Sequence, residues 1–280
     1  MLIEVCVDSV DSAVAFVILR SRAVRGGADR LELCGNLGLG GGTTPSIGLF
    51  TAVQKAVPGI PIMAMVRPRT GDFLYSESEF DVMLEDILAF KSHGARGVVF
   101  GVLDKSGCVD INRTQRLVNE ALPLEVCFHR AFDMTMNPTT GNVRHLAWSD
   151  ICEVKGITRI LTSGHGKTAI SQESLRELGL FLGAGADGSA VDGHPSVKIC
   201  PGSGINASTL PVLCKALLPH RLEEIHLSGG QWVESAMTWR PEGMGMGVGP
   251  GKGEWGVWKT NEEAIRAIRT IADTIYMDLE

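Results

Sequence analysis

The chain has 280 residues, of which 44% are hydrophobic and 21% charged, and its net charge is −6. That apolar content supports a substantial core and excludes a disordered chain, while mild acidity without a basic block argues against nucleic acid or an anionic membrane as the main partner. Seven cysteines form no CxxC pair, the N-terminus lacks the pattern of a signal peptide, and its longest apolar run is too short to span a bilayer, so a soluble cytoplasmic protein with free thiols is expected.

Leu2 to Val7 reads as a strand, and Asp8 or Ser9 is placed to cap a helix over Val10 to Val24. Gly26-Gly27-Ala28-Asp29 stops that helix, and Arg30 to Leu33 forms strand two. The Gly-rich loop from Gly35 to Thr44 leads to Pro45, a good first helical residue, and the helix ends before Pro58. Strand three covers Ile62 to Val66. Glu77 to His93 then has helical periodicity, with Phe80, Met83, Leu84, Ile87 and Leu88 on one face.

The cycle repeats with strands at Gly97 to Phe100, Glu125 to Phe128, Thr158 to Leu161, Val197 to Cys200 and Glu224 to Leu227. Helices are predicted over Asn112 to Ala121, Val143 to Val154, Ser171 to Leu182, and from the glycines after strand seven to about Leu218. A loose stretch runs from Gly183 to Pro195. Strands alternating with helices imply parallel pairing, and eight such units in a chain of this size fit a single (β/α)8 barrel, typically ~250 residues, over residues 1–280. A doubly wound open sheet is the rival; polar residues after nearly every strand favour the barrel. The Gly-, Met- and Trp-rich segment 232–258 is irregular, and Asn261 to Tyr276 reads as a closing helix.

Glu4-Val5-Cys6, Glu32-Leu33-Cys34 and Glu125-Val126-Cys127 repeat one device: a carboxylate and a thiol two residues apart, hence on one face of a strand. Acids inside a sheet are costly unless paired or wet. In a barrel, functional groups gather at the C-terminal mouth. The candidates there are Glu4, Asp8, Glu32, Arg67, Arg69, Asp72, His129, Arg130, Asp133 and His226. Each alone has an equally good reading as a satisfied buried charge; the set points to a site. Gly202, Ser203 and Gly204 after strand seven, with Ser228 after strand eight, are placed to offer N–H groups at a helix start to a phosphate or carboxylate. Glycine there also serves simply to permit a turn.

Cys6 and Cys34 are expected at matching heights on adjacent strands, about 4.8 Å apart. Two such thiols suit a soft, low-coordination ion such as Cu(I). Free cysteine is also a small, commonly buried hydrophobe, and Cys127 and Cys200 are read that way.

The combination of Glu4-Val-Cys-Val-Asp-Ser9, Gly26-Gly-Ala-Asp-Arg-Leu-Glu-Leu-Cys34, Gly41-Gly-Thr-Thr-Pro-Ser46, Arg67-Pro-Arg, Gly71-Asp-Phe-Leu-Tyr75, Phe128-His-Arg-Ala-Phe-Asp133 and Leu161-Thr-Ser-Gly164 resembles the CutC copper-homeostasis family, in order from residue 2 to about 230. The resemblance implies a TIM-type barrel, copper handling in the cytosol, Cu(I) binding and self-association. It assigns the copper role to Cys6 and Cys34, which occupy the family's cysteine positions. Ala15 to Val24 makes the first helix longer than the family's, and Ser203 stands where the family has glycine.

Two functions of different class stay open at this point. One is a Cu(I)-binding homeostasis protein with Cys6 and Cys34 as ligands. The other is a barrel enzyme acting on a small anionic or phosphorylated substrate, with Glu4, Glu32, His129 and Asp133 for acid–base or metal chemistry and Arg67, Arg69 and Arg130 holding the anion.

Overall fold

The computed structural model describes residues 1–14, 27–135, 143–186, 197–247 and 254–277. In chain order the elements are β1 (Leu2–Val7), α1 (Val10–Val14), β2 (Arg30–Leu33), α2 (Leu37–Gly40), α3 (Ile47–Ala56), β3 (Ile62–Met65), α4 (Glu77–Ser92), β4 (Gly97–Phe100), α5 (Ile111–Ala121) and β5 (Glu125–Phe128). There follow α6 (Val143–Glu153), β6 (Arg159–Thr162), α7 (Gln172–Ala186), β7 (Lys198–Pro201), α8 (Leu210–Leu217), β8 (Glu224–Leu227), β9 (Gly230–Val233), β10 (Val257–Thr260) and α9 (Glu262–Met277). The expected helix beyond Val14, and residues 187–196 of the loose stretch, lie outside the described residues.

Strands β1 to β7 pair in sequence order, and β8 returns to pair with β1, every pair parallel. A parallel bridge between Gly202 and His226 joins β7 to β8 and brings the sheet round on itself. This is the eight-stranded barrel, not the open doubly wound sheet.

The pleat explains the sequence pattern. Outward residues such as Val5, Val7, Leu31, Leu33, Ile62, Ala64, Val98, Phe100, Val126, Phe128, Ile160 and Ile225 join the helices in one large core. Inward residues form a separate apolar cluster of Cys34, Met63, Met65, Val99, Cys127, Leu161 and Cys200. Cys127 and Cys200 are therefore packing residues of the barrel interior. The rest of that interior is ionic, which is why the strands read as apolar runs broken by regularly spaced acids and arginines.

Local signals account for the helix starts. Ser46, not Pro45, caps α3 by accepting the Leu49 N–H. Ser76 and Glu79 form a reciprocal capping box on α4, and Asp110 caps α5 through the Arg113 N–H. Two expectations are corrected. The helix after strand seven starts at Leu210, following a turn in which Asn206 and Thr209 bond one another's backbone, so Gly202 to Gly204 do not open a helix. The ends of the 232–258 segment are ordered as the antiparallel β9–β10 ribbon.

Candidate functional site

An ionic layer at the base of the barrel sets the charges of the site above it. Glu4 is the register partner of both Arg30 on β2 and His226 on β8. Arg30 bonds Glu4 and reaches Glu224 at 2.9 Å; Arg159 bonds Glu224 at 2.7 Å and Glu125 at 3.3 Å. Burial works against a charge on Glu4, but His226 and Arg30 outweigh it and hold the carboxyl well below its usual range. Glu4 is thus a permanent carboxylate below the mouth, and it does not line the cavity there.

Directly above sits a compact trio. The register pairs Cys6 with Glu32, not with Cys34, which stands one pleat higher on β2. The expectation of two thiols at one height is corrected accordingly: the repeated acid–thiol motifs are offset by two residues when the strands align. The Cys6 thiol, a Glu32 oxygen and a His226 nitrogen all lie within 4.8 Å of one another. His226 Nδ1 is 2.8 Å from Glu4 Oε1, so its Nε2 turns toward Glu32, 4.0 Å away. Glu32 Oε2 is buried without a protein partner. Burial pushes the Cys6 thiol and the Glu32 carboxyl up. It pushes His226 down, but Cys6, Glu32 and Glu4 more than compensate and hold the imidazole well above its usual value. Cys34 is fully buried behind this trio, with its Sγ 3.5 Å from Glu32 Oε1.

Thiolate, imidazole and carboxylate on three adjacent strand positions fit a soft or borderline ion. The unpaired Glu32 oxygen leaves an acceptor free for it. The Glu4–His226 bond is the outer-shell carboxylate that orients ligating histidines in metal sites.

The trio opens into a cavity of about 760 Å³ at the C-terminal mouth. His129, at the end of β5, lines it and is 4% exposed. Its Nδ1 accepts the Ala131 N–H at 3.2 Å, so in the neutral ring Nε2 carries the proton, and that atom has no protein partner. Burial and the nearby Arg67 charge push His129 down to about 3, which leaves it a fixed donor at neutral pH and not a base. The glycine at 101 is what admits the ring: a Cβ there would stand 2.6 Å from His129 Nδ1. Arg67, 8% exposed, ties two loops together by donating to the Gly40, Gly42 and Gly71 carbonyls at 2.6, 2.9 and 3.1 Å.

The remaining candidates divide sharply. Arg130 lines the cavity but is bonded to Asp133 at 2.7 Å. Asp133 also accepts from Thr162, from the Ser163 N–H and hydroxyl, and from the His165 N–H, so it knots the loops after β5 and β6 and has little capacity left for substrate. Arg69 and Asp72 pair with each other at 2.9 Å on the surface, Arg69 also holds Glu79 at 2.6 Å, and neither Arg69 nor Asp72 lines the cavity. Asp8 accepts the Leu37 N–H at the start of α2. Ser203, Gly204 and Ser228 line the cavity, whereas Gly202 forms the barrel-closing bridge.

The sequence reading missed Phe73, Asn206 and Trp258 in this wall. Trp258 arrives on β10, where it packs edge-on against Trp232 with ring centroids 5.4 Å apart. The aromatic–glycine pairing of β9–β10 with α2 was the available signal: a Cβ on Gly38 would lie 2.9 Å from both Trp232 and Trp258. A second cavity, about 860 Å³, opens at the opposite end of the barrel beside Arg30, Glu125, Arg159 and Glu224. Its buried acids and arginines pair with one another, so the smaller mouth cavity carries the stronger chemistry.

Known proteins resemble this chain over most of its length. The CutC family profile matches residues 1–231. The human copper homeostasis protein cutC homolog is 36% identical over 285 residues, covering 98% of this chain and 90% of its own. A CutC family protein of Klebsiella pneumoniae (strain 342) is 37% identical over 269 residues, covering 96% of each chain. The solved structure of CutC from Streptococcus agalactiae superposes with a TM-score of 0.65 at 24% identity, over 81% of this chain and 98% of that one, and supports the fold. With this barrel, these strand-end motifs and these relatives, the chain belongs to the CutC family.

Proposed function

We propose that this protein is a copper-homeostasis protein that holds Cu(I) as cargo at the base of the barrel mouth, with Cys6, His226 Nε2 and Glu32 around the ion. The observation that carries the reading is the convergence of those three ligand atoms within 4.8 Å, next to an unpaired Glu32 oxygen. Copper itself comes from the human relative's name; the thiol–imidazole pair is compatible with it. Cys34, buried behind Glu32, is the reserve thiol of the site. Its partner role in the two-cysteine scheme passes to His226, because β1–β2 register sets Cys6 opposite Glu32. All seven cysteines are free thiols, and no helix among the described residues is long and apolar enough to cross a membrane. A cytosolic setting and self-association complete the proposal.

The test is anaerobic Cu(I) titration against a competing chelator, for the wild type, Cys6→Ser, His226→Gln and Cys34→Ser. Tight binding of one ion per chain, lost in the first two variants and weakened in the third, supports the site. Equal weak binding in all four refutes it. Zn(II) displacing Cu(I) stoichiometrically would reassign the metal while keeping the ligands.

A further inference from the structure

The mouth cavity holds more polar functionality than a metal ion uses. Among the described residues, three N–H donors on residues lining it, Arg67 Nε, His129 Nε2 and Trp258 Nε1, are buried without a hydrogen-bond partner of their own, and the Arg67 side chain lies beside the Tyr75 hydroxyl. Such atoms are uncommon singly, and these three lie just after β3, just after β5 and on β10, places distant in sequence. Phe73 ties two of them together: the Arg67 guanidinium lies 5.1 Å from its ring centroid and the His129 ring 4.9 Å from it.

Arg67 carries a second, independent signal. Among the described residues this arginine, nine-tenths buried, has no carboxylate partner, in contrast to Arg30 and Arg159 below it. Three backbone carbonyls and an aromatic face offset part of its charge, but carbonyl dipoles and a ring quadrupole carry no net negative charge. The other cations at the mouth are matched: Arg130 by Asp133 and His226 by Glu4. Arg67 is therefore the lining arginine without a carboxylate of its own among the described residues, and it shares the cavity wall with His129 and Trp258.

We propose that the mouth binds a small organic monocarboxylate, its carboxylate received by Arg67, the His129 Nε2–H and the Trp258 Nε1–H. One guanidinium without a carboxylate of its own matches a monoanion better than a dianionic phosphate. An organic body follows from the size of the cavity and from its apolar walls, which include Leu37, Met65, Met134, Leu161 and Ile205. This site shares its cavity with the copper ligands Cys6, Glu32 and His226 but uses none of their atoms, and it does not depend on copper being bound. It gives the anion-binding half of a barrel enzyme a concrete ligand class, while the occupied state of Asp133 removes one expected acid from its chemistry.

The experiment is calorimetric and fluorescence titration of metal-free protein with benzoate, phenylacetate, hexanoate and 2-oxobutanoate, each beside its neutral amide, and with inorganic phosphate. At least one carboxylate should bind at millimolar or lower concentration while its amide binds at least tenfold more weakly, a difference of about 1.4 kcal/mol. Trp258→Phe keeps the ring but removes the donor, and should cost three- to tenfold. Arg67→Met should abolish binding; if that variant unfolds, the Trp258→Phe and His129→Phe effects decide instead. No binding by any carboxylate, equal binding of acids and amides, affinity unchanged in Trp258→Phe and His129→Phe, or tighter binding of phosphate than of every carboxylate would each overturn the proposal.

Discussion

Glu4 Oε1 lies 2.8 Å from His226 Nδ1, and the other Glu4 oxygen is bonded by Arg30. One buried carboxylate thus connects the ionic base of the barrel to the imidazole at the mouth. It fixes the ring's orientation and keeps Nε2 directed at the Cys6–Glu32 side. Glu4 is a positioning residue, one bond removed from the cargo.

Replacing it should therefore affect affinity without removing a ligand. Glu4→Gln is expected to weaken Cu(I) binding about 10- to 100-fold, the usual effect of losing an outer-shell partner, with the stoichiometry unchanged. Chelator competition on folded variant measures this. An unchanged affinity would mean that His226 does not ligate.

The base itself should be sensitive to single but not to paired changes. Arg159 is 5% and Glu224 3% exposed, so Glu224→Leu leaves a buried guanidinium short of its partner and should cost about 3–5 kcal/mol. Urea unfolding gives the number. Combining Glu224→Leu with Arg159→Met should recover a good part of that loss, because one of the two affected guanidiniums is gone and the other, Arg30, keeps Glu4.

His129 predicts a pH dependence whose sign can be worked out. Its pKa in the fold is pushed down to about 3 by burial and by Arg67, against roughly 6.5 in an unfolded chain. Between those values the unfolded state holds a proton that the folded state does not. Stability from this group is unaffected above about pH 6.5 and falls as pH drops through the window, by about 2 kcal/mol at pH 5. His129→Gln should lose correspondingly less stability than wild type between pH 7 and pH 5, measured by urea unfolding at both values. A parallel loss in both proteins would show that His129 titrates normally.

The surface clamp should matter least. Arg69 and Asp72 are exposed, with side chains 36% and 72% accessible, so Asp72→Ala is expected to cost no more than about 1 kcal/mol. Copper and carboxylate titrations of this variant should match the wild type. A change in either would put Arg69 and Asp72 back among the binding residues.

Much of the architecture was legible because each strand's pattern is local. Glu4, Cys6, Arg30 and Glu32 are spaced by two, and alternation alone puts them on inward faces whichever strands they meet. Helix starts with local signals, such as α4 at Glu77 and α5 at Ile111, could be read within a residue or two, whereas α8 starts well after the glycines expected to open it. The family motifs lie on these same strand ends, and they carried the copper reading before any contact was known.

What only the tertiary structure decided depends on relations between strands. Parallel pairing does not equate like motifs: β1 and β2 align Glu4 with Arg30 and Cys6 with Glu32, and that offset sets the Cys6 thiol level with a carboxylate and not with the second thiol. Closure of the barrel brings His226 to Glu4 across more than two hundred residues, a proximity without a sequence signature. The neighbouring loops after β5 and β6 bring Asp133 its donors, while Arg67 meets loop carbonyls and no carboxylate among the described residues. Residue type supplied the charges; register and closure determined which of them were neutralised.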